Sequence, residues 1–188
     1  EAILERSKRD RMKFLDAGCG QGRISIPIAK MGLDVDAVDF SEQAIKKAIV
    51  YAKDEGVKIK YVTDDIANYL LGVEDEYYDC VLCAEVIYML PNYKEILKNL
   101  VRVTRKGGIL ILSVRPKLFY LLLQMLNKDY AKAQIVSTAQ NGSTINWHFN
   151  WYTKSEIVEQ LNSLGISEIN CYGIGISSGI EGDPQALY

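Results

Sequence analysis

Apolar and polar positions along the chain fall into two alternating rhythms. Short, nearly continuous apolar runs end in acids or glycines, and each is followed by a stretch with apolar residues three and four apart. The runs read as strands: Phe14-Leu15, then "LDVDAVDF" from Leu33, "VKIKYVT" from Val57 to Thr63, "CVLCA" from Cys80, and the end of "KGGILILSV". The stretches between them predict helices. One runs from about Ser25 to Met31 with Ile24, Ile28 and Met31 inward. A second is capped by Ser41 and reaches about Lys53, with Ala44, Ile45, Ala48, Ile49 and Ala52 on one face. A third turns Ile96, Leu97, Leu100 and Val101 inward, and Lys106-Gly107-Gly108 is expected to be the turn into a buried fifth strand. Strand and helix thus alternate through five strands, which predicts an α/β fold with a parallel, doubly wound sheet.

Beyond Arg115 the pattern is irregular. Pro116 to Asn127 reads as a short apolar helix and Lys128 to Asn146 as polar loop. An aromatic-rich stretch, "INWHFNWY" from Ile145 to Tyr152, precedes Thr153, which caps a last helix to about Leu164 with Glu156 completing a capping box. Gly165 ends it, and "ISEINCYGIGIS" is expected to be a strand. Glu1 to Met12 read as the end of a helix leading into the first strand.

The most distinctive stretch is "FLDAGCGQGRISIPIAKMG" from Phe14 to Gly32, where Asp16 closes the first strand and Gly18, Gly20 and Gly22 form the turn before the first helix. Glycine tolerates positive φ and lets the backbone approach a ligand closely. The spacing departs from the dinucleotide fingerprint G-x-G-x-x-G, because Arg23 stands where its third glycine belongs. The carboxylate of Asp16 would repel a pyrophosphate and suits an ammonium group instead. Asp39, 21 residues after Gly18 at the end of the second strand, is placed to accept hydrogen bonds from vicinal ribose hydroxyls, as in either adenosine-containing cofactor.

The pattern Asp16-Ala17-Gly18-Cys19-Gly20-Gln21-Gly22 resembles motif I of the class I S-adenosylmethionine (SAM)-dependent methyltransferases, and the loop, helix, Gly-Gly turn and strand after Cys83 resemble their small-molecule branch. The resemblance spans about Phe14 to Val114 and, more weakly, Tyr152 to Ser177. It implies a Rossmann-like sheet of about seven strands, ending in an antiparallel edge that is incomplete here or supplied by Ile145 to Trp151. It implies SAM as cofactor, held along Asp16, Gly18, Cys19, Gly20 and Cys83, with Asp39 on the ribose, Phe40 against the adenine, and Asp65 and Ile66 at the adenine edge. Asp64 competes with Asp65 for that role. It also implies a single methyltransferase domain over 1–188 with a substrate-binding insertion at 116–146. For the acceptor side, Glu85, Tyr88 and His148 are the candidate catalytic residues, and Arg115 could hold an anionic substrate. The D/N-P-P-Y/F/W signature of amino-methyltransferases is absent: the corresponding stretch is Cys83-Ala84-Glu85-Val86.

Composition narrows these readings. A net charge of −2 and a pI near 5.5 provide no basic stripe for nucleic acid, so a small-molecule substrate is expected. "LFYLLLQML" is too short to cross a membrane. Four cysteines without paired spacing, and no secretory pattern at the start, lead to the expectation of a cytoplasmic setting. Cys80 and Cys83, three apart on a strand, are expected as buried small side chains rather than a redox pair. Asp64-Asp65 lacks a third ligand nearby, so no metal is expected. Because the chain opens on Glu1 rather than Met, an N-terminal segment, of a kind that often covers a cofactor, is expected to be missing or disordered. Two rivals remain open at this stage. One is a non-catalytic SAM-binding scaffold; the other is an NAD(P)-dependent oxidoreductase, which lacks a Tyr-x-x-x-Lys pair.

Overall fold

The computed structural model describes residues 12–143 and 148–173. The chain divides into two compact units: Glu1–Ile87 with Asn92–Ser113, and Tyr88–Pro91 with Val114–Tyr188. The expected N-terminal helix lies mostly outside the described residues.

The first unit is built on five strands: β1 (Lys13–Ala17), β2 (Asp34–Asp39), β3 (Lys60–Thr63), β4 (Tyr78–Cys83) and β5 (Thr104–Leu112). They lie in the order β3-β2-β1-β4-β5, and all pairs are parallel. Between them run α1 (Ser25–Lys30), α2 (Glu42–Asp54), α3 (Ile66–Leu71) and α4 (Tyr93–Val103). The order reverses direction between β1 and β4, which makes their carboxyl ends the switch point where such sheets take ligands. Both central strands are almost wholly buried, which explains why they read as near-continuous apolar runs. One core cluster joins Phe14, Val35, Ala37, Ile45, Cys80 and Leu82. Leu15, Val81, Leu97 and Leu100 are also fully buried.

Several expectations need correction. Among the described residues the main sheet has five strands rather than about seven, and Ile166 to Gly173 form no strand; the rest of that expected strand lies outside the described residues. Met31 and Ile49 are half exposed, and Ile26 is the large apolar residue of α1 that is buried. Val103, rather than Val101, completes the inner face of α4. The Gly107-Gly108 pair does not separate helix from strand: β5 runs through it, with Gly107 at φ +70° and a register shift against β4 between Tyr78 and Cys80. Asp79 holds this irregularity in place, accepting the Lys13 N–H at 2.7 Å and pairing with Arg105. Nor is β5 buried, since Ile109 and Ile111 are about two-fifths exposed (39% and 41%). Its alternating pattern marks it as the sheet's outer strand.

Helix α3 was not foreseen. Asp65 is its N-cap, accepting the Ala67 N–H at 2.7 Å, and Arg102 fastens its far end by donating to the Leu70 and Val73 carbonyls. A second polar knot lies where Asp36 accepts hydrogen bonds from Tyr78 (2.8 Å), Tyr69 (3.2 Å) and Lys60 (3.1 Å).

The second unit holds α5 (Lys117–Leu126), α6 (Tyr130–Thr138), β6 (Asn141–Ser143), β7 (His148–Asn150) and α7 (Lys154–Ser163). The stretch expected as loop therefore contains a helix and a strand. β6 and β7 pair antiparallel in a ribbon separate from the main sheet. Gly142 lies flat against the Trp151 indole, where any Cβ would overlap the ring. The capping box of α7 forms as read, with Thr153 and Glu156 bonding reciprocally.

Candidate functional site

The glycine turn starts where β1 ends. Asp16 is 3% exposed, and its Oδ2 accepts the hydroxyl of Ser25, itself fully buried, at 2.5 Å. Burial pushes the Asp16 pKa above the usual carboxylate value, only partly offset by the Ser25 hydrogen bonds. An anion in such surroundings is stabilised by any cation brought beside it. Ser25 is a residue that the sequence reading missed. A single hydroxyl inside an apolar helix pattern carries no motif.

Past Asp16 the chain folds back on β2. The N–H groups of Gly18 and Cys19 both donate to the Val38 carbonyl, at 2.8 and 3.0 Å. Gly18 sits at φ +94°, a conformation that favours glycine, and the volume of its missing Cβ is filled by Val86 Cγ2. Gly20 N–H donates to Asp39 Oδ2 at 2.8 Å, while Ser41 N–H donates to Asp39 Oδ1 at 2.9 Å. Asp39 thus ties the glycine turn to the end of β2. Two accepted bonds leave a carboxylate about two more lone-pair positions. Phe40, next to it, is 73% exposed.

Beside this, Asp65 is exposed and occupied in part as the α3 cap, Asp64 accepts the Asp65 N–H, and Ile66 is buried beneath. Three of the four thiols are buried, and burial pushes Cys19 and Cys83 up to about 12 and Cys80 to about 11, away from the thiolate form. Tyr61 adds a buried hydroxyl behind Gly22, with a pKa raised to about 12 by burial.

Glu85 lies on the other side of the switch point, two residues past β4. It is half-buried and has φ +60°, one of three non-glycine residues with positive φ among those described. Its N–H donates to Ser113 Oγ at 2.8 Å, and the Ser113 hydroxyl is also 2.8 Å from Glu85 Oε1. Ser113 is a second residue the sequence reading missed.

In the second unit, Tyr88 is buried and stacks on Phe149, with ring centroids 6.5 Å apart and 14° between planes. The Arg115 guanidinium lies 5.5 Å from both the Tyr88 and Phe119 rings. Tyr120 packs against Phe149 and Trp151. Asn150, 4% exposed, donates through Nδ2 to the carbonyls of Tyr88 (3.3 Å) and Leu90 (2.8 Å), fastening that segment. His148 belongs to β7, opposite Ser143; its side chain lies outside the described residues, as do Ile145 to Trp147. So the structure gathers Asp16, Gly18, Cys19, Gly20, Asp39, Cys83 and Glu85 at the carboxyl ends of β1, β2 and β4, with Asp65 and Ile66 beyond β3.

A family model described as "Methyltransferase domain" matches residues 15–112. The ubiquinone biosynthesis O-methyltransferase of Rickettsia canadensis is 34% identical over 158 residues, covering 83% of this chain and 63% of that protein. The one from Rickettsia akari is 37% identical over 160 residues, covering 83% and 59%. The chain therefore spans less than two thirds of the length of these curated relatives. Among solved structures, a SAM-dependent methyltransferase from Methanosarcina mazei matches with a TM-score of 0.68 at 21% identity, covering 87% of this chain and 84% of that one. Magnesium protoporphyrin IX methyltransferase from Synechocystis, solved with bound S-adenosylhomocysteine (SAH), matches with a TM-score of 0.63 at 25% identity over 90% and 70%. Taken with the glycine turn and the strand order, these matches show that the chain belongs to the class I SAM-dependent methyltransferases.

Proposed function

We propose that this chain binds SAM across the carboxyl ends of β1, β2 and β3 and transfers its methyl group to an oxygen of a small, planar acceptor. The observation that carries the reading is the glycine turn itself. A buried carboxylate, two left-handed glycines and a second carboxylate tied to the turn form one connected unit at the switch point. The residues fit the cofactor by their chemistry. Asp16, costly to ionise alone, accepts an ammonium group, and Asp39 keeps lone pairs for ribose hydroxyls. Phe40, whose ring the protein leaves uncovered, would lie against the adenine, with Asp65 and Ile66 at its edge, while Cys19 and Cys83 would line the turn.

The cofactor supplies an activated methyl group on a sulfonium centre. The chain's own residues align the acceptor, exclude water and take up a proton where the acceptor oxygen carries one. Glu85 is the candidate for that proton, with Tyr88 and His148 as further candidates. On this reading the chain is one methyltransferase domain over 1–188, with an insertion over 116–146 that serves the substrate. Oxygen as the acceptor atom rests on the relatives' names. Three inert, buried cysteines and no helix apolar enough to cross a membrane among the described residues support a cytoplasmic setting. The absence of a basic excess favours a small molecule over nucleic acid.

Calorimetric titration with SAM, SAH and NADH tests the cofactor. SAM and SAH are expected to bind and NADH not to, and Asp39→Ala is expected to weaken SAH binding by about 1.5 kcal/mol or more. Binding of NADH alone, or of none of the three, overturns the reading.

A further inference from the structure

We propose that Ser113 is a positioning residue of the cofactor site, holding Glu85 in its left-handed conformation and thereby keeping Val86 seated on Gly18. The inference rests on the SAM-site reading above and assigns a device within it.

Three observations carry it. Glu85 has φ +60°, where a Cβ-bearing residue persists only if its surroundings over-determine it. Ser113 is part of those surroundings. Ser113 Oγ accepts the Glu85 backbone N–H, and the same hydroxyl donates to Glu85 Oε1, both at 2.8 Å. Ser113 is in turn fixed by its own N–H, which donates to the Cys83 carbonyl at 3.2 Å and extends the β5 ladder past Leu112. One side chain therefore clamps both the backbone and the carboxylate of Glu85. The turn that Glu85 makes delivers the next residue, Val86, to the glycine turn, where its Cγ2 fills the space a Cβ on Gly18 would take. Packing at that distance fixes the backbone of Gly18. Strain after β4 is thus converted into order in the loop after β1. Without the Ser113 hydroxyl, Glu85 relaxes to an ordinary negative φ, Val86 leaves its notch, and the turn loses its preformed shape.

The test is SAH affinity by calorimetry, with thermal melting alongside, on the wild-type chain and variants. Ser113→Ala is expected to weaken SAH binding about tenfold, the size expected when a strained conformer is no longer enforced. Ser113→Thr, which keeps the hydroxyl, is expected to stay within about threefold of wild type. The decisive variant is Ser113→Ala/Glu85→Gly: glycine adopts positive φ without a clamp, so affinity is expected to return to within about threefold of wild type, whereas Ser113→Ala/Glu85→Ala stays weak. A purely structural role for Ser113 would show no rescue by glycine. Unchanged affinity in Ser113→Ala, or no recovery in the glycine double variant, overturns the proposal. Wild type failing to bind SAH overturns it too, together with the SAM-site reading, so the two failures are distinct. Should Ser113→Ala not fold, Val86→Ala carries the test, with about fivefold weaker binding expected from the lost contact; unchanged binding then counts against the proposal.

Discussion

The two units of this chain spend their apolar residues differently. In the first, the long apolar side chains of the central elements are hidden: Leu15, Val81, Leu97 and Leu100 are at most 0% exposed. In the second, α5 is made almost entirely of apolar residues, yet none of its residues is buried, with Leu118, Met125 and Leu126 half exposed or more. The contrast shows where stability comes from. Apolar content contributes only through the area removed from water. The first unit closes a core between sheet and helices, while the second relies on aromatic ring contacts and a few directed hydrogen bonds, such as those of Asn150.

Truncating a core leucine gives the largest expected effect and tests this contrast directly. Leu97→Ala is expected to cost about 2–5 kcal/mol in urea denaturation, by lost transfer energy and the cavity left behind. Leu122→Ala in α5, at a site 38% exposed, is expected to cost less than about 1 kcal/mol. Equal losses would break the comparison.

Next in size is Gly18→Ala. Positive φ costs an L-residue about 1–2 kcal/mol, and overlap with Val86 adds roughly 1–3 kcal/mol of overpacking. We expect a stability loss of about 2–5 kcal/mol and no measurable SAH binding by calorimetry. Gly20→Ala sharpens this result, because a Cβ there meets nothing within 4 Å, so only its left-handed φ of 53° opposes the change.

Asn150→Ala probes the second unit at its most buried polar residue. It deprives the Tyr88 and Leu90 carbonyls of their amide donor, for an expected loss of about 1–3 kcal/mol. Limited proteolysis should show faster cleavage near residues 88–91. If the variant cleaves at the wild-type rate, the segment is held by something other than Asn150.

The same division governs what the residues alone disclosed. In the first unit, doubly buried strands leave continuous apolar runs, and the turn between β1 and α1 requires glycine, so the order and direction of these elements were readable from Phe14 to Val38. Where one residue serves two purposes, only one of them was legible. Asp65 looked like a ligand group and is also the N-cap of α3, a helix too short to show a period. The Gly107-Gly108 pair looked like a turn, because a left-handed glycine in a strand irregularity has the same composition as one in a turn. Ser25, Ser113 and Asn150 act through hydrogen bonds to residues nine or more positions away, which leave no local motif. In α6 only Ala133 and Val136 are buried, too few to print a helical stripe.

The smallest expected effect on stability, and the sharpest on function, belongs to Asp16→Asn. Burial raises the folded pKa of Asp16 above its ordinary value, so between that value and the folded one the native state holds more protons than the unfolded state. Stability contributed by this group is therefore complete at the acid end of that window and falls as pH rises through it. Glu156 and Asp129 act in the opposite direction: their folded pKa values are lowered, by the Thr153 hydrogen bonds and by Lys132 respectively, and their contributions are lost as pH falls. Comparing wild type with Asp16→Asn isolates the first slope, because the other two are common to both. Asparagine keeps an oxygen for the Ser25 hydroxyl and carries no charge to bury. Urea midpoints measured across the acid range should show the variant gaining on wild type as pH rises, with SAH binding lost at neutral pH. Bound SAH should reverse the order in the wild type alone, because its ammonium group brings a cation beside the buried carboxylate. A variant that gains nothing with pH would mean that Ser25 and the turn already compensate the charge, and the buried acid would then be an ordinary structural carboxylate.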